Sequence, residues 1–313
     1  MPTVLITGGT GLIGTALTNY LLARNYTVII MSRSVKNQSL ILKQNAVNFA
    51  GWDTDTQTMD AAALVQADYI IHLAGAGVAD KRWTAKRKKE IRESRIKSGQ
   101  LLAKSLKEIP NKVKAVVAAS AIGWYGADPT VPNTNPFKED AKADSSFLGE
   151  TCRLWEESTE SIKDLNIPFI KLRIGIVLSN DGGALKEFKK PIRFGVAGIL
   201  GSGKQIISWI HIEDLCRMME FAITHEKMEG VYNAAAPNPV SNKTFMLRLA
   251  EKIKGKFFVP SHVPAFVLKL MLGEMSIEVL KSATVSCKKI QGAGFTFLYP
   301  SVDAALDDLC GSR

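Results

Sequence analysis

Residues 3–7, TVLIT, form a short apolar run closed by glycines, the pattern of a strand buried on both faces. Beyond the glycines, LIGTALTNYLLARN repeats Ile13, Leu17, Leu21 and Leu22 at helical spacing, and TVIIMSR at 27–33 is a second apolar run. Strand, tight turn, helix and strand make a βαβ unit. The alternation continues. It predicts a strand around 46–50, a helix over 59–66, a strand over 69–73 (YIIHL), a helix running to about 108, a strand over 113–119, a helix over 149–164 and a strand over 168–174. Apolar strands alternating with amphipathic helices define an α/β protein with a doubly wound parallel sheet. Ligands then bind at the carboxyl ends of the strands.

After residue 178 the rhythm changes. Gly182, Gly183, Gly195, Gly198, Gly201 and Gly203 punctuate a loop-rich stretch, and helical patterns follow at 212–225, 243–254 and 263–272. The expected division is a nucleotide-binding domain over 1–178, with 205–240 partly returning to it. A smaller C-terminal α+β substrate or lid domain is expected over 179–313 and includes the segment 259–309.

A chain of 313 residues buries roughly 75% of its unfolded surface and needs no disulfide or metal to be stable. Cys152, Cys216, Cys287 and Cys310 show no paired spacing and no histidine cluster, so no metal site is expected and reduced thiols are the better expectation. No signal-like start and no apolar run long enough for a membrane span is visible, so a cytoplasmic, membrane-free protein is expected. The formal charge of +10 concentrates in KRWTAKRKKEIRESRIK at 81–97. Helical spacing turns Trp83, Ile91 and Ser94 inward and Lys86, Arg87, Lys89 and Arg92 outward, the pattern of a solvated basic face. No nucleic-acid motif accompanies the run, which makes nucleic acid an unlikely partner.

The chemistry begins at TGGTGLIG, residues 7–14. Gly8 makes the turn, Gly11 lets backbone approach a pyrophosphate, and Gly14 lets the helix pack closely, with Thr10 between them. A glycine triplet between a strand and an amphipathic helix is a specific dinucleotide-binding signal, and the sheet is therefore expected to be Rossmann-type. An NAD site usually presents a carboxylate to the ribose at the end of the second strand. Here that strand ends MSRS, and no Asp or Glu precedes Asp53. Ser32 and Arg33 suit a 2′-phosphate, so the expected cofactor is NADP(H).

With TGGTGLIG, HLAGAG at 72–77, AASAIGWYG at 118–126 and LRIGIVL at 172–178, the chain resembles the extended short-chain dehydrogenase/reductases, the superfamily of nucleotide-sugar epimerases and dehydratases. GSGKQIISWIHIEDL at 201–215, VYNAAAPNPVSNKTF at 231–245 and the tail from PAFVLKLMLGEM to VDAALDDL resemble one atypical branch, epimerase-like proteins with a C-terminal domain of unknown function. The resemblance implies that Leu12 and Ile13 contact the pyrophosphate through backbone and that Asp53 lies near adenine. It further implies that Leu73, Ala74 and Gly75 line the cofactor and that Ile176 and Val177 pass the nicotinamide. Arg95 stands where the family often keeps an asparagine and would bring positive charge to the cofactor, with Glu90 as a ligand or charge partner. Trp209, His211 and Asp214 resemble the segment that closes the sugar-nucleotide pocket, against the plainer alternative of a capped helix start.

The departure lies in SSFLGETCRLWEE at 145–157. Aligned on Gly149, Thr151 and Glu156, the family's Tyr-x-x-x-Lys falls on Leu148 and Cys152. Leucine has no proton to exchange with a substrate oxygen, and a neutral thiol supplies no positive field. Ser120, Tyr125 and Cys152 remain as candidate catalytic groups, Cys152 competing with the plainer assignment of a buried, inert helix cysteine. Three functions stay open: an NADP-dependent oxidoreductase or epimerase-like enzyme acting on an unknown small molecule, a catalytically silent NADP(H)-binding sensor, and, third, polyanion binding through residues 81–97.

Overall fold

The computed structural model describes residues 1–34 and 47–311. Residue 46, the first of the strand expected at 46–50, and the last two residues of the C-terminal part lie outside the described residues. In chain order the elements begin with β1 (Thr3–Thr7), α1 (Leu12–Leu22), β2 (Thr27–Ser32), β3 (Val47–Asp53), β4 (Thr58–Met59), α2 (Ala61–Gln66) and β5 (Tyr69–His72). There follow α3 (Ala85–Glu108), β6 (Ala115–Ala121), α4 (Phe147–Ser158), β7 (Phe169–Ile174), β8 (Ile176–Leu178), α5 (Gly183–Arg193) and β9 (Val196–Leu200). Next come β10 (Ile206–Ile207), β11 (Trp209–His211), α6 (Ile212–Thr224), β12 (Gly230–Ala234), β13 (Val240–Ser241), α7 (Asn242–Lys254) and β14 (Val259–Val263). The chain finishes with α8 (Ala265–Leu272), α9 (Ser276–Leu280), α10 (Lys288–Gly292) and α11 (Val302–Cys310).

The main sheet has eight strands in the order β12-β7-β6-β5-β1-β2-β3-β4, parallel throughout except for the β3–β4 pair. Alternation along β1 sends Val4 and Ile6 to the face covered by Leu17 and Leu21 of α1 and Leu215 and Met218 of α6. Leu5 goes to the other face, under Leu64 of α2 and Leu101, Leu102 and Leu106 of α3. Both faces are covered, so the strands read as unbroken apolar runs. The chain runs outward from β1 through β2 and β3, then crosses back to place β5 on β1's other side. The strand order therefore reverses between β1 and β5, and the crevice at their carboxyl ends is the place for a ligand.

The C-terminal part is built from pairs of short strands, β8 with β11, β9 with β14 and β10 with β13, packed with α5, α7 and α11 around Trp209, Phe245, Leu249 and Leu306. β12 returns to the main sheet beside β7, and α6 packs on that sheet.

Several expected boundaries move. The helix expected over 59–66 starts at Ala61, because Met59 pairs with Trp52 and the Asp60 carboxylate accepts from the Ala62 amide at 2.9 Å. The helix expected over 149–164 starts at Phe147, capped by Ser146, and stops at Ser158. The Glu156 carbonyl, which would receive the amide of residue 160, instead accepts from Lys171 Nζ at 2.9 Å and Thr159 Oγ1 at 3.1 Å. The chain continues as a short 3-10 turn over 160–165. On α3 the expectation for Arg87 fails: its side chain is buried, with Nη1 2.8 Å from Glu90 and Nη2 donating to the Gly77 carbonyl. Three acceptors, Glu90, Asp80 and the Gly77 carbonyl, offset the cost of burying its guanidinium.

Candidate functional site

The glycine turn is shaped by close backbone approach. Gly8 has φ +70°, and a Cβ there would stand 2.9 Å from the Leu73 carbonyl carbon and oxygen. At Gly14 a Cβ would strike the Gly8 carbonyl oxygen and lie 2.5 Å from the Gly9 Cα, so the first turn of α1 packs on the glycine turn itself rather than on β1. Gly11 caps α1 in extended conformation with no side-chain cap, and among the described residues only the Gly8 oxygen, 3.4 Å from an added Cβ, is close to it. The first amides of α1 thus open outward, a ready site for an anion. Thr10 is exposed and Ile13 partly buried, while Leu12 packs against the Gly182–Gly183 turn.

The β5 end joins this turn directly. Thr7 Oγ1 accepts from the Leu73 and Ala74 amides at 3.2 and 3.3 Å and pairs with His72 Nδ1 at 2.8 Å. Burial lowers the His72 pKa to about 4, so the ring is neutral there. Gly75 rests on Arg95: a Cβ would be 3.1 Å from that arginine's Cγ and Cζ. Arg95 Nη1 donates to the Ala76 and Ile91 carbonyls, both at 2.9 Å, and its guanidinium faces the Trp155 ring. Burial lowers its pKa to about 10, which leaves it charged at neutral pH. The structure thus gathers Gly8, Leu12, Leu73, Ala74, Gly75 and Arg95 around one crevice.

At the adenosine side Arg33 is exposed at the end of β2, but the Ser32 hydroxyl is engaged on Ser34, donating to its carbonyl at 3.0 Å and accepting from its amide at 3.2 Å. Asp53 Oδ1 accepts from the Asp55 and Thr56 amides, which holds its carboxyl below the usual range and ties it to its own turn. The exposed Glu90 carboxyl is likewise held low, first by its hydrogen bond from Arg87 and then by the charges of Arg87, Lys81 and Arg33. Ile176 and Val177 form β8, half-buried beside β11.

The three catalytic candidates are sealed in the protein. Ser120, 2% exposed, donates to Glu156 Oε1 at 2.7 Å. The same carboxylate accepts from Arg173 Nε at 2.8 Å and Nη2 at 3.2 Å. Tyr125, fully buried, donates to Asn233 Oδ1 at 2.7 Å and accepts from Arg173 Nη1 at 3.0 Å. Burial pushes its phenol upward, against the pull of Arg173. Burial also pushes the Cys152 thiol up to about 12, with Arg95 opposing, so this cysteine is a packed, protonated group rather than a thiolate. The polar groups at the carboxyl ends of β6 and β7 form a structural network and not an open proton relay.

The segment at 209–214 is also interior. Trp209 is fully buried, His211 caps α6 by accepting from the Glu213 amide at 3.1 Å, and Asp214 accepts from the Leu298 and Tyr299 amides at 2.8 and 2.9 Å. These residues fasten the C-terminal segment onto α6, and none of them lines the cavity beside the sheet. That cavity, about 600 Å³, lies between the carboxyl ends of β6 and β7 and the C-terminal part. Leu148 stands on its wall with Ile122, Gly123 and Ile176. Sequence reasoning missed Lys281, a cavity residue whose Nζ lies 2.6 Å from Glu278. No motif surrounds it, so only the fold reveals it.

The profile of the NAD dependent epimerase/dehydratase family matches residues 4–235. The chain belongs to that family. A second profile, a domain of unknown function (DUF1731), matches residues 263–309. The epimerase family protein YfhF of Bacillus subtilis is 33% identical over 311 residues, covering 99% of this chain and 98% of its own. An epimerase family protein of Staphylococcus haemolyticus is 35% identical over 309 residues, covering 99% of each chain. Among solved structures, the human epimerase family protein SDR39U1 (isoform 2), crystallised with NADPH, superposes with a TM-score of 0.85 at 29% identity, covering 99% of this chain and 100% of that one. A UDP-glucuronic acid 4-epimerase from Bacillus cereus superposes at 0.77 with 20% identity over 98% of this chain and 97% of that one, a likeness of fold. Among the described residues no helix is long and apolar enough to cross a membrane.

Proposed function

We propose that this chain binds NADP(H) at the carboxyl ends of β1 and β5 and works as an atypical oxidoreductase or epimerase-like enzyme on a small molecule held in the adjoining cavity. The carrying observation is the glycine turn, whose backbone is packed so tightly on residues 73–74 and α1 that side chains are excluded and the α1 amides are left facing the crevice. The residues fit the group: amides for the pyrophosphate, the 73–75 backbone along its length, and Arg33 for a 2′-phosphate. When bound, the cofactor supplies or accepts hydride; the protein holds it and excludes water. Preference for the phosphorylated cofactor rests on Arg33, exposed where β2 ends without a carboxylate, and agrees with the NADPH in SDR39U1.

Removing the Arg33–phosphate pair and substituting a negative charge costs about 1.5–3 kcal/mol of binding. Arg33→Asp is therefore expected to weaken NADPH by at least about tenfold while leaving NADH nearly unchanged. Titration by the fluorescence of the reduced cofactors measures both, and equal losses for the two refute the 2′-phosphate assignment.

One observation favours a second function, a silent NADP(H)-binding sensor: Ser120, Tyr125 and Cys152 are all closed off from the cavity. Transfer of deuterium from 4-deuterated NADPH to any member of a carbonyl panel supports the enzyme. Tight NADPH binding with no transfer across the panel supports the sensor.

A further inference from the structure

The cavity that holds Leu148 has a wall unlike one made for a sugar nucleotide. It is lined by Ile122, Leu148, Ile174, Ile206, Leu268 and Met275, with further apolar groups between them. Three polar side chains on that wall, Gln205, Asn242 and Ser208, are bonded to neighbouring backbone. Gln205 Nε2 donates to the Leu200 carbonyl at 2.9 Å, Asn242 Oδ1 accepts from the Leu200 amide at 2.8 Å, and Ser208 Oγ donates to the Ala283 carbonyl at 2.8 Å while accepting from Val285.

Lys281 differs. It is the one lysine or arginine among the described lining residues, and its side chain is 11% exposed. Its Nζ reaches Glu278 Oε2 at 2.6 Å and the Tyr125 carbonyl at 3.3 Å. An ammonium has three N–H groups, so one remains for a ligand. Its charge is already matched by Glu278, and the Asp144 carboxyl also lies within its field. An anion placed here would have no cation left to balance it, and an unbalanced charge in an apolar cavity is strongly disfavoured. A neutral oxygen acceptor meets no such cost.

We propose that this cavity takes a neutral, largely apolar carbonyl compound, its oxygen accepting a hydrogen bond from Lys281 Nζ and its hydrocarbon lying on Leu148 and α8. The site rests on the cofactor assignment above only for the later reaction of that carbonyl; its ligand preference is independent of cofactor. Leu148 then has a positive role. Where related enzymes place a phenol against a sugar hydroxyl, this chain places a hydrocarbon surface that only an apolar ligand covers favourably.

The test uses the full chain without cofactor and the neutral fluorescent ketone 6-propionyl-2-dimethylaminonaphthalene as probe. Its emission is expected to shift to the blue on binding, and 2-undecanone is expected to displace it at concentrations at least about tenfold lower than decanoate or UDP-glucose. Lys281→Met is expected to weaken 2-undecanone about tenfold, and Lys281→Arg, which keeps a donor, to restore most of it. Thermal unfolding of each variant checks that the fold persists, and the ratio of 2-undecanone to undecane affinity reads the hydrogen bond separately from any general loosening. Decanoate or UDP-glucose binding as tightly as the ketone overturns the proposal, as does an unchanged ratio in a folded Lys281→Met. NADPH titrated in parallel separates the two assignments. Ketone binding without NADPH binding removes the cofactor assignment alone, and NADPH binding without ketone preference removes this one alone.

Discussion

Glu156 is the residue on which the interior of the site depends most, and Glu156→Ala is the perturbation that exposes it. Its carboxylate, 8% exposed, accepts from Ser120 Oγ at 2.7 Å and from Arg173 Nε and Nη2 at 2.8 and 3.2 Å, while the Arg173 side chain is 3% exposed. Alanine leaves a guanidinium buried without its counter-charge, a change that costs about 3–5 kcal/mol. With a urea slope of about 3 kcal/mol per molar for a chain of this size, the unfolding midpoint falls by about 1–1.7 M. Glu156→Gln keeps the shape and one acceptor and is expected to lose roughly half as much, and Ser120→Ala, which removes one hydrogen bond to a charged group, about 1.5–3 kcal/mol. Tryptophan fluorescence follows the transition, because Trp155 adjoins Glu156 and the Arg173 guanidinium stacks 3.7 Å from the Trp124 ring. A midpoint shift below about 0.3 M for Glu156→Ala refutes the view that this pair is a structural hub. So does a Ser120→Ala variant of full stability, since a serine free of Glu156 would be open to substrate.

Two further outcomes follow from other places in the fold. His72 is neutral in the folded protein because burial lowers its pKa to about 4, whereas the unfolded chain takes up a proton near 6.5. Stability attributable to it is therefore complete above about pH 7 and falls with acidification, by about 2 kcal/mol at pH 5 and about 3 at pH 4. Urea titrations at a series of pH values measure this loss, and His72→Asn is expected to flatten the curve between pH 7 and 4; an equally steep curve in the variant refutes the assignment. Gly14→Ala places a methyl group against the Gly8 carbonyl and the Gly9 Cα, and overpacking against backbone costs about 1–3 kcal/mol. Because the atoms that must move are those of the glycine turn proposed to hold the cofactor, NADPH affinity is expected to fall with stability, and unaltered binding by calorimetry contradicts that assignment.

The sheet was legible because burial on both faces writes itself into sequence as apolar runs such as TVLIT and TVIIMS, and the glycine turn because backbone crowding admits one residue type at positions 8 and 14. Boundaries were less so. The end of α4 depends on Lys171, on β7, taking the carbonyl of Glu156, a contact that no local pattern announces.

By itself, then, the sequence determined the layered α/β architecture and the place of the glycine turn between β1 and α1. These are local facts, carried by spacing and by residue type. Tertiary structure alone decided what the surviving polar residues do. Ser120, Tyr125, Glu156, Arg173 and Asn233 come from separate elements and satisfy one another inside the protein. Arg87, spaced as a surface residue, is drawn inward by Glu90, Asp80 and the Gly77 carbonyl. Lys281, in the C-terminal segment, arrives on the same cavity wall as Leu148. Periodicity records whether a position is buried; only the folded chain fixes which distant partner makes a buried charge or hydroxyl tolerable, and so which groups remain for chemistry.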